Sequence, residues 1–185
     1  MKLILWQTRE YSMCVSASLR TAAGAEFLSA AAESTTILAG VLSIIQPDLY
    51  EAGMTGLSRL WAEPSLVNTP LVLWEVLELW SVPFNGVSVI SNRSTPLHRD
   101  CNSRKEWMDL LVALGMYNEG NLTVPGLGIN FLYNPGTVVG IVGRVLQHGA
   151  ECDGERACLA FYMRDKVHER LGLWVPTWVQ VDPVL

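Results

Sequence analysis

Three side chains in this sequence have the types and spacing to hold a metal ion. They are His98 and Asp100, in the run Thr95-Pro96-Leu97-His98-Arg99-Asp100, and His148, in Leu146-Gln147-His148-Gly149. On extended backbone alternate side chains share a face, so His98 and Asp100 would project the same way and could grip one ion between them. A second imidazole from His148 completes a two-histidine, one-carboxylate set, the ligand type that leaves half of an octahedral Fe(II) open for a cosubstrate and dioxygen. Arg156 opens a β-like run, Arg156-Ala157-Cys158-Leu159-Ala160-Phe161-Tyr162. A planar guanidinium there could clamp the far carboxylate of a dicarboxylic cosubstrate through two hydrogen bonds, and 2-oxoglutarate is the cosubstrate this suggests.

The same residues admit plainer and rival readings. His98 and Asp100 could be a surface hydrogen-bonded pair, His148 could cap a strand end, and Arg156 could pair with Glu155 or Asp153. His98-Arg99-Asp100 also opens the protein-kinase catalytic loop. That loop needs an asparagine five residues after its aspartate, where this chain has Lys105, and neither Asp-Phe-Gly nor a glycine-rich phosphate loop occurs. A zinc hydrolase would accept two histidines and a carboxylate and stays open as a lesser alternative, although it gives Arg156 no task. His168 lies in the charged stretch Lys166-Val167-His168-Glu169-Arg170 and reads as a solvated helical side chain.

The elements that would position these residues change character along the chain. From Ala22 to Ile45 a proline-free stretch rich in Ala, Leu, Ile and Glu predicts a helix that stops before Gln46-Pro47. A second helix begins near Asp48, with Leu49, Gly53, Gly56, Leu57 and Leu60 on one face, and Glu63-Pro64 breaks it. Leu71 to Trp80 fits a short helix or a buried strand, and a helix is the expectation. After Pro83 come short β-rich runs, Gly86 to Ser91, Ile129 to Tyr133, Thr137 to Val145 and Ala157 to Met163. Between them Ser103 to Leu114 reads as a helical insertion, with Ser103 as N-cap, Glu106 completing a capping box and Gly115 as the stop. Asn134-Pro135-Gly136 reads as a turn between two strands that pair antiparallel. After Lys166 a short helix and an apolar strap of Trp174, Pro176 and Trp178 are expected.

The interval between His98 and His148 holds several strand signals, and Arg156 follows shortly after. That order fits a double-stranded β-helix with the triplet and the distal histidine on neighbouring strands at its mouth. The expected fold is therefore α+β: a double-stranded β-helix core of the jelly-roll or cupin kind with N-terminal supporting helices. A single oxygenase domain would span 1–185, with 1–80 mainly helical support and 81–185 carrying the site.

Composition sets bounds on partners. Half of the 185 residues are hydrophobic, enough for one core that buries roughly 70% of the unfolded surface. A net charge of −5 and a pI near 5.2 lack the basic excess of a typical nucleic-acid-binding domain. Any such contact would rest on a local patch, for which Arg93, Arg99, Arg104, Lys105 and Arg144 are the candidates. The apolar opening Met1 to Trp6 is interrupted by Gln7, Arg9 and Glu10, and the run Ile37 to Ile45 falls far short of the ~20 residues of a membrane span, so a soluble chain with no membrane partner is expected. Cys14, Cys101, Cys152 and Cys158 include no C-x-x-C pair, which points to reduced thiols in an intracellular protein, the nucleus being one possible compartment.

With these residues in view, the sequence resembles the TET/JBP-like 2-oxoglutarate/Fe(II)-dependent dioxygenases, in particular their short fungal members found with transposons. The resemblance runs from about Trp80 to Trp178. It is carried by Val87 to Arg93 leading to His98-Arg99-Asp100, then Pro135-Gly136-Thr137-Val138-Val139, Gly143-Arg144-Val145-Leu146-Gln147-His148-Gly149, and Glu155-Arg156 through Asp165. It implies Fe(II) ligation by His98, Asp100 and His148, a 2-oxoglutarate anchor at Arg156, and dioxygen as second cosubstrate. It also implies methylated DNA as the substrate, with the methyl group of 5-methylcytosine or another methylated base as the target. One position departs from the pattern. Many relatives carry a serine two residues after the arginine, where its hydroxyl helps bind the cosubstrate carboxylate, and this chain has Cys158, a poorer donor. Two other functions stay open: an oxygenase acting on a protein or small molecule, which the acidic charge favours, and an inactive transposon-derived remnant that only binds.

Overall fold

A computed structural model of the chain describes residues 2–4, 7–9, 12–92, 94–101 and 103–179. Two compact units separate within it. One consists of strands and holds residues 86–165 with the first strand, β1 (Lys2–Ile4); the other is mainly helical and holds the described residues from 7 to 85 with those after 165.

In the helical unit a short hairpin, β2 (Gln7–Arg9) and β3 (Ser12–Cys14), precedes α1 (Ala22–Ile45), α2 (Pro47–Ala62) and α3 (Pro70–Leu79). Thr21 caps α1 by accepting the Gly24 N–H at 3.1 Å. Pro47 and Pro70 open α2 and α3 at positions where a missing N–H costs nothing. The buried side of α1, Leu28, Thr35, Leu38, Ala39 and Leu42, recurs at helical spacing and packs on α2 and α3. By length and composition alone α1 could cross a membrane, which the short run Ile37 to Ile45 does not suggest. Leu71 to Trp80 folds as expected, with Leu73, Val76 and Leu77 of α3 buried.

The closing helix, α4 (Asp165–Arg170), corrects the reading of His168, which is 2% exposed. Val167, His168 and Leu171 all turn inward, because a helix this short can dock only by burying that side. Of the strap residues Pro176 is buried, while Trp174 and Trp178 stay nearly half exposed.

The strand unit contains β4 (Gly86–Ser91), β5 (Thr95–His98), β6 (Asp109–Tyr117), β7 (Asn121–Val124), β8 (Ile129–Leu132), β9 (Val138–Ile141), β10 (His148–Glu151) and β11 (Gly154–Tyr162). A five-stranded antiparallel sheet runs β1-β4-β11-β6-β9, and a four-stranded one runs β5-β10-β7-β8. Leu111, Ala113, Ile141 and Cys158 of the first sheet share one buried cluster with Leu122, Val124 and Ala150 of the second. Each large aliphatic side chain removed from water there contributes about 1.5–3 kcal/mol. The result is the α+β arrangement with a jelly-roll core.

Two expectations fail here. The stretch Ser103 to Leu114 is not a helix: only a turn, with Trp107 N–H donating to Arg104 O at 3.3 Å, precedes β6. Asp109 to Ala113 are buried without a break, and β6 pairs with β11 on one edge and β9 on the other; burial and pairing together override local helix preference. No helix follows Ser103 for it to cap, and the residue stands close enough to the Asp109 carboxyl to favour its charged form. The Asn134-Pro135-Gly136 turn exists, closed by Thr137 N–H to Asn134 O at 3.0 Å, but β8 pairs with β7 and β9 with β6, so it crosses between sheets. The run Thr137 to Val145 correspondingly keeps only β9 as strand and turns after Ile141.

Gly115 is a strand residue opposite Arg156, at φ +126°, where an added Cβ would lie 2.0 Å from Glu155 O. Gly115→Ala should cost about 2 kcal/mol or more through backbone strain and clash. Gly126→Ala, where a Cβ meets nothing within 4 Å, is the control. Urea midpoints measure both, and equal midpoints would contradict the constraint.

Candidate active site

β5 ends on His98 and β10 begins on His148, and the two residues are direct partners across the antiparallel ladder. Their ring centroids are 4.4 Å apart. Each ring is held by its own strand: His98 Nδ1 lies 2.9 Å from Pro96 O, and His148 Nδ1 lies 3.0 Å from Leu146 O. A carbonyl can only accept, so both Nδ1 atoms carry the proton and both Nε2 lone pairs are left to face the same space. Asp100 enters that space from just beyond β5, where its backbone N–H donates to Gly143 O at 2.9 Å. Its Oδ1 is 3.6 Å from His98 Nε2 and its Oδ2 is 3.7 Å from His148 Nε2.

These separations exceed a hydrogen bond, and lone pairs set against a carboxylate repel unless a cation is shared. One donor atom from each residue lies within 4.8 Å of the others, so the set could hold a metal ion. Two imidazole nitrogens and one carboxylate suit Fe(II), and their anchored Nδ1–H groups supply the outer support such ligands need.

The three residues line a cavity of about 590 Å³. Arg156, on β11, lines it too, and is 3% exposed, whereas Asp153 and Glu155 are exposed, which sets aside a surface ion pair with either. Its guanidinium carbon sits 5.5 Å from the centre of the Tyr133 ring. Arg164 falls beyond the end of β11 and lies against the Tyr162 ring at 6.0 Å. Cys158 is buried and also faces the cavity, and burial pushes its thiol up, so it stays a neutral group.

Several residues of the site carry no motif. Asp109 is buried, and burial first, then the charge of Asp100, raises its carboxyl well above the usual range, against a lowering influence of Ser103. Its one signal is a carboxylate at the head of an apolar run. Tyr133 has only its place before the Asn-Pro-Gly turn. Gly143 leaves room for carboxylates: a Cβ there would lie 2.2 Å from Asp100 Oδ2 and 3.1 Å from Asp109 Oδ2.

The basic residues near the site are largely engaged. Arg99 Nε donates to Val145 O at 2.9 Å and Arg144 donates to Cys101 O at 2.8 Å. Arg104 pairs with Asp165 and lies 5.7 Å from the Trp107 ring, and Lys105 is 3.8 Å from Glu106. Arg93 lies outside the described residues.

A jelly roll presenting this donor set beside a buried arginine defines the class of 2-oxoglutarate/Fe(II)-dependent dioxygenases. The family model for the TET/JBP oxygenase domain of the 2OGFeDO superfamily matches residues 10–165, and the chain belongs to that family. Its cofactor is accordingly Fe(II), with 2-oxoglutarate and dioxygen as cosubstrates. The match takes in α1, α2 and α3 as well as β4 to β11. No curated protein matches the chain. Among solved structures, NgTET1 in complex with 5mC DNA is similar, with a TM-score of 0.62 at 16% identity over 90% of this chain. The chain spans 61% of that protein's length, and the likeness at this identity is one of fold.

Gly143→Ala should push the Asp100 carboxylate out of the cluster and weaken Co(II) binding by roughly 10- to 100-fold, the scale seen when a ligand's support is lost. Equilibrium dialysis of Co(II), with circular dichroism to confirm the fold, measures this. An unchanged affinity would show that the carboxylate does not depend on the space at Gly143.

Proposed function

We propose that this domain hydroxylates the methyl group of 5-methylcytosine in DNA, with His98, Asp100 and His148 holding Fe(II) and Arg156 holding 2-oxoglutarate. The observation that carries the reading is that all four side chains line one cavity in a chain of the TET/JBP family. The complex of NgTET1 with 5mC DNA supports the choice of base. When bound, the iron centre couples loss of carbon dioxide from 2-oxoglutarate, giving succinate, to insertion of one dioxygen atom into a methyl C–H bond. The protein's own residues bind, orient and exclude water. The two imidazoles present fixed Nε2 lone pairs, the Arg156 fork orients a carboxylate, and Leu111, Leu122 and Ala150 furnish apolar wall.

The test incubates Fe(II)-loaded protein and 2-oxoglutarate with methylated and unmethylated oligonucleotides and counts oxidised bases and succinate by mass spectrometry. Methylated DNA should raise succinate release and yield 5-hydroxymethylcytosine. Single-stranded substrate should outperform duplex, since a chain of net charge −5 offers little phosphate binding to offset unstacking. His98→Ala, Asp100→Ala and His148→Ala should each abolish turnover. Slow succinate release that is equal for every oligonucleotide, with no base oxidised, would replace DNA with a protein or small-molecule substrate.

Arg156→Ala should leave metal bound and raise the 2-oxoglutarate requirement steeply, since an unpaired carboxylate contact costs about 2–5 kcal/mol. Arg156→Lys should restore only part of it. A 2-oxoglutarate titration that does not move in the alanine variant would relocate the anchor, with Arg164 as the next arginine to try.

A further inference from the structure

A carboxylate taken into a buried pocket has about four acceptor sites, and a guanidinium fork fills two of them. The remainder must meet donors from the pocket wall or pay the desolvation cost of a buried charge. The cavity wall carries hydroxyls at Ser88, Ser91, Thr95, Ser103, Tyr133 and Tyr162, and of these the Tyr133 ring lies against the Arg156 guanidinium. The Tyr117 hydroxyl is committed to the backbone oxygen of Tyr133 at 2.7 Å, and Tyr117 lies outside the cavity lining. The thiol of Cys158 is a weak donor. Tyr133 is different: it lines the cavity, is 1% exposed, and its hydroxyl sits 3.4 Å from Cys158 Sγ.

Its ring is fixed from both sides. The Tyr133 backbone N–H donates to Gly120 O at 2.7 Å, its carbonyl accepts from Tyr117, and its face lies under the Arg156 guanidinium. Burial raises its phenol far above the ordinary value, so it stays a proton donor. A hydroxyl bonded to sulfur has a poor partner. It can turn about its C–O bond and exchange that contact for a charge-assisted one when an anionic oxygen arrives.

We infer that Tyr133 is a specificity-determining residue for the cosubstrate: its hydroxyl donates to the distal carboxylate clamped by Arg156, in the role that a serine at position 158 would otherwise fill. This rests on the assignment of Arg156 in the proposed function. The pocket then selects a 2-oxo acid bearing a second carboxylate through one cationic and one neutral donor.

The experiment measures anaerobic binding of 2-oxoglutarate and of 2-oxopentanoate, the same chain without the distal carboxylate, to Fe(II)-loaded protein by equilibrium dialysis. Tyr133→Phe keeps the ring and removes only the hydroxyl. It should weaken 2-oxoglutarate binding by roughly 10- to 100-fold, as expected for a hydrogen bond to a charged group, and leave 2-oxopentanoate unchanged. Adding Cys158→Ser to Tyr133→Phe should recover much of the loss by returning a hydroxyl to the carboxylate. Equal weakening of both ligands would make Tyr133 a structural residue and overturn the inference. Loss in Arg156→Ala with none in Tyr133→Phe would overturn it while keeping Arg156 as anchor. No loss in either variant would remove the assignment of Arg156 itself.

Discussion

The pairing of His98 with His148 across β5 and β10 is the constraint on which the site depends. Side chains alternate along a strand, so a slip of one residue in this ladder would send one imidazole to the opposite face and separate the rings. The ladder is short and irregular, with its register shifting between His148 and Ala150. Irregularities of this kind are common at the rims of barrels and beside active sites, and this one begins directly after His148. Beyond the ladder the two segments that carry the candidate ligands are tied by other means: Asp100 N–H to Gly143 O, Arg99 to Val145 O and Arg144 to Cys101 O. The arginines thus add side-chain ties to the backbone bond between Asp100 and Gly143.

Charge shapes the rest of the cavity. Asp100 brings one carboxylate and Asp109 a second one nearby, and the second is disfavoured as an anion by burial and by the first. Ser103 works the other way and favours the charged carboxyl. At the other group of polar side chains the balance is reversed: Arg156 is cationic, while Tyr133 and Cys158 are both raised by burial and remain neutral around it. An anion drawn into this cavity is therefore attracted to Arg156 and repelled from Asp100. In the proposed reading Fe(II) would offset the repulsion at Asp100, so that both carboxylates of the cosubstrate would meet positive charge, one near the metal and one at Arg156.

The sequence spoke most clearly where local chemistry decides structure. The unbroken helical stretch from Ala22, its stop before Pro47 and the one-sided pattern of Leu49, Gly53, Gly56, Leu57 and Leu60 set α1 and α2 close to where they are found. The metal-ligand candidates were legible because histidines are few in this chain and two of them stand in strand-like context. What could not be read is what tertiary pairing decides. Leu110 to Leu114 are apolar in a run that a helix or a doubly buried strand would accept, and the neighbours β9 and β11 choose between them. β7 and β10 are four residues each, too short for a periodic signal, and gain their partners only across the sheet. His168 misled for a related reason: charged neighbours at 166, 169 and 170 mark one side of α4 and say nothing of the other.

The same engagement of side chains bears on how a nucleic acid would be held. Arg99 and Arg144 use hydrogen bonds to backbone carbonyls that tie together the segments carrying the candidate ligands, and Arg104 is paired with Asp165. A guanidinium has five donors, so such an arginine can still touch a phosphate, but only with the donors its first task leaves over and in the orientation that task fixes. Phosphate grip of this kind contributes little binding and much register. In the proposed reading, recognition then falls mainly on the cavity, where a base must be taken out of its stack to meet the iron ligands. An acidic domain that binds through a pocket discriminates by what fits there, and it approaches best a strand in which the base is already free to turn outward.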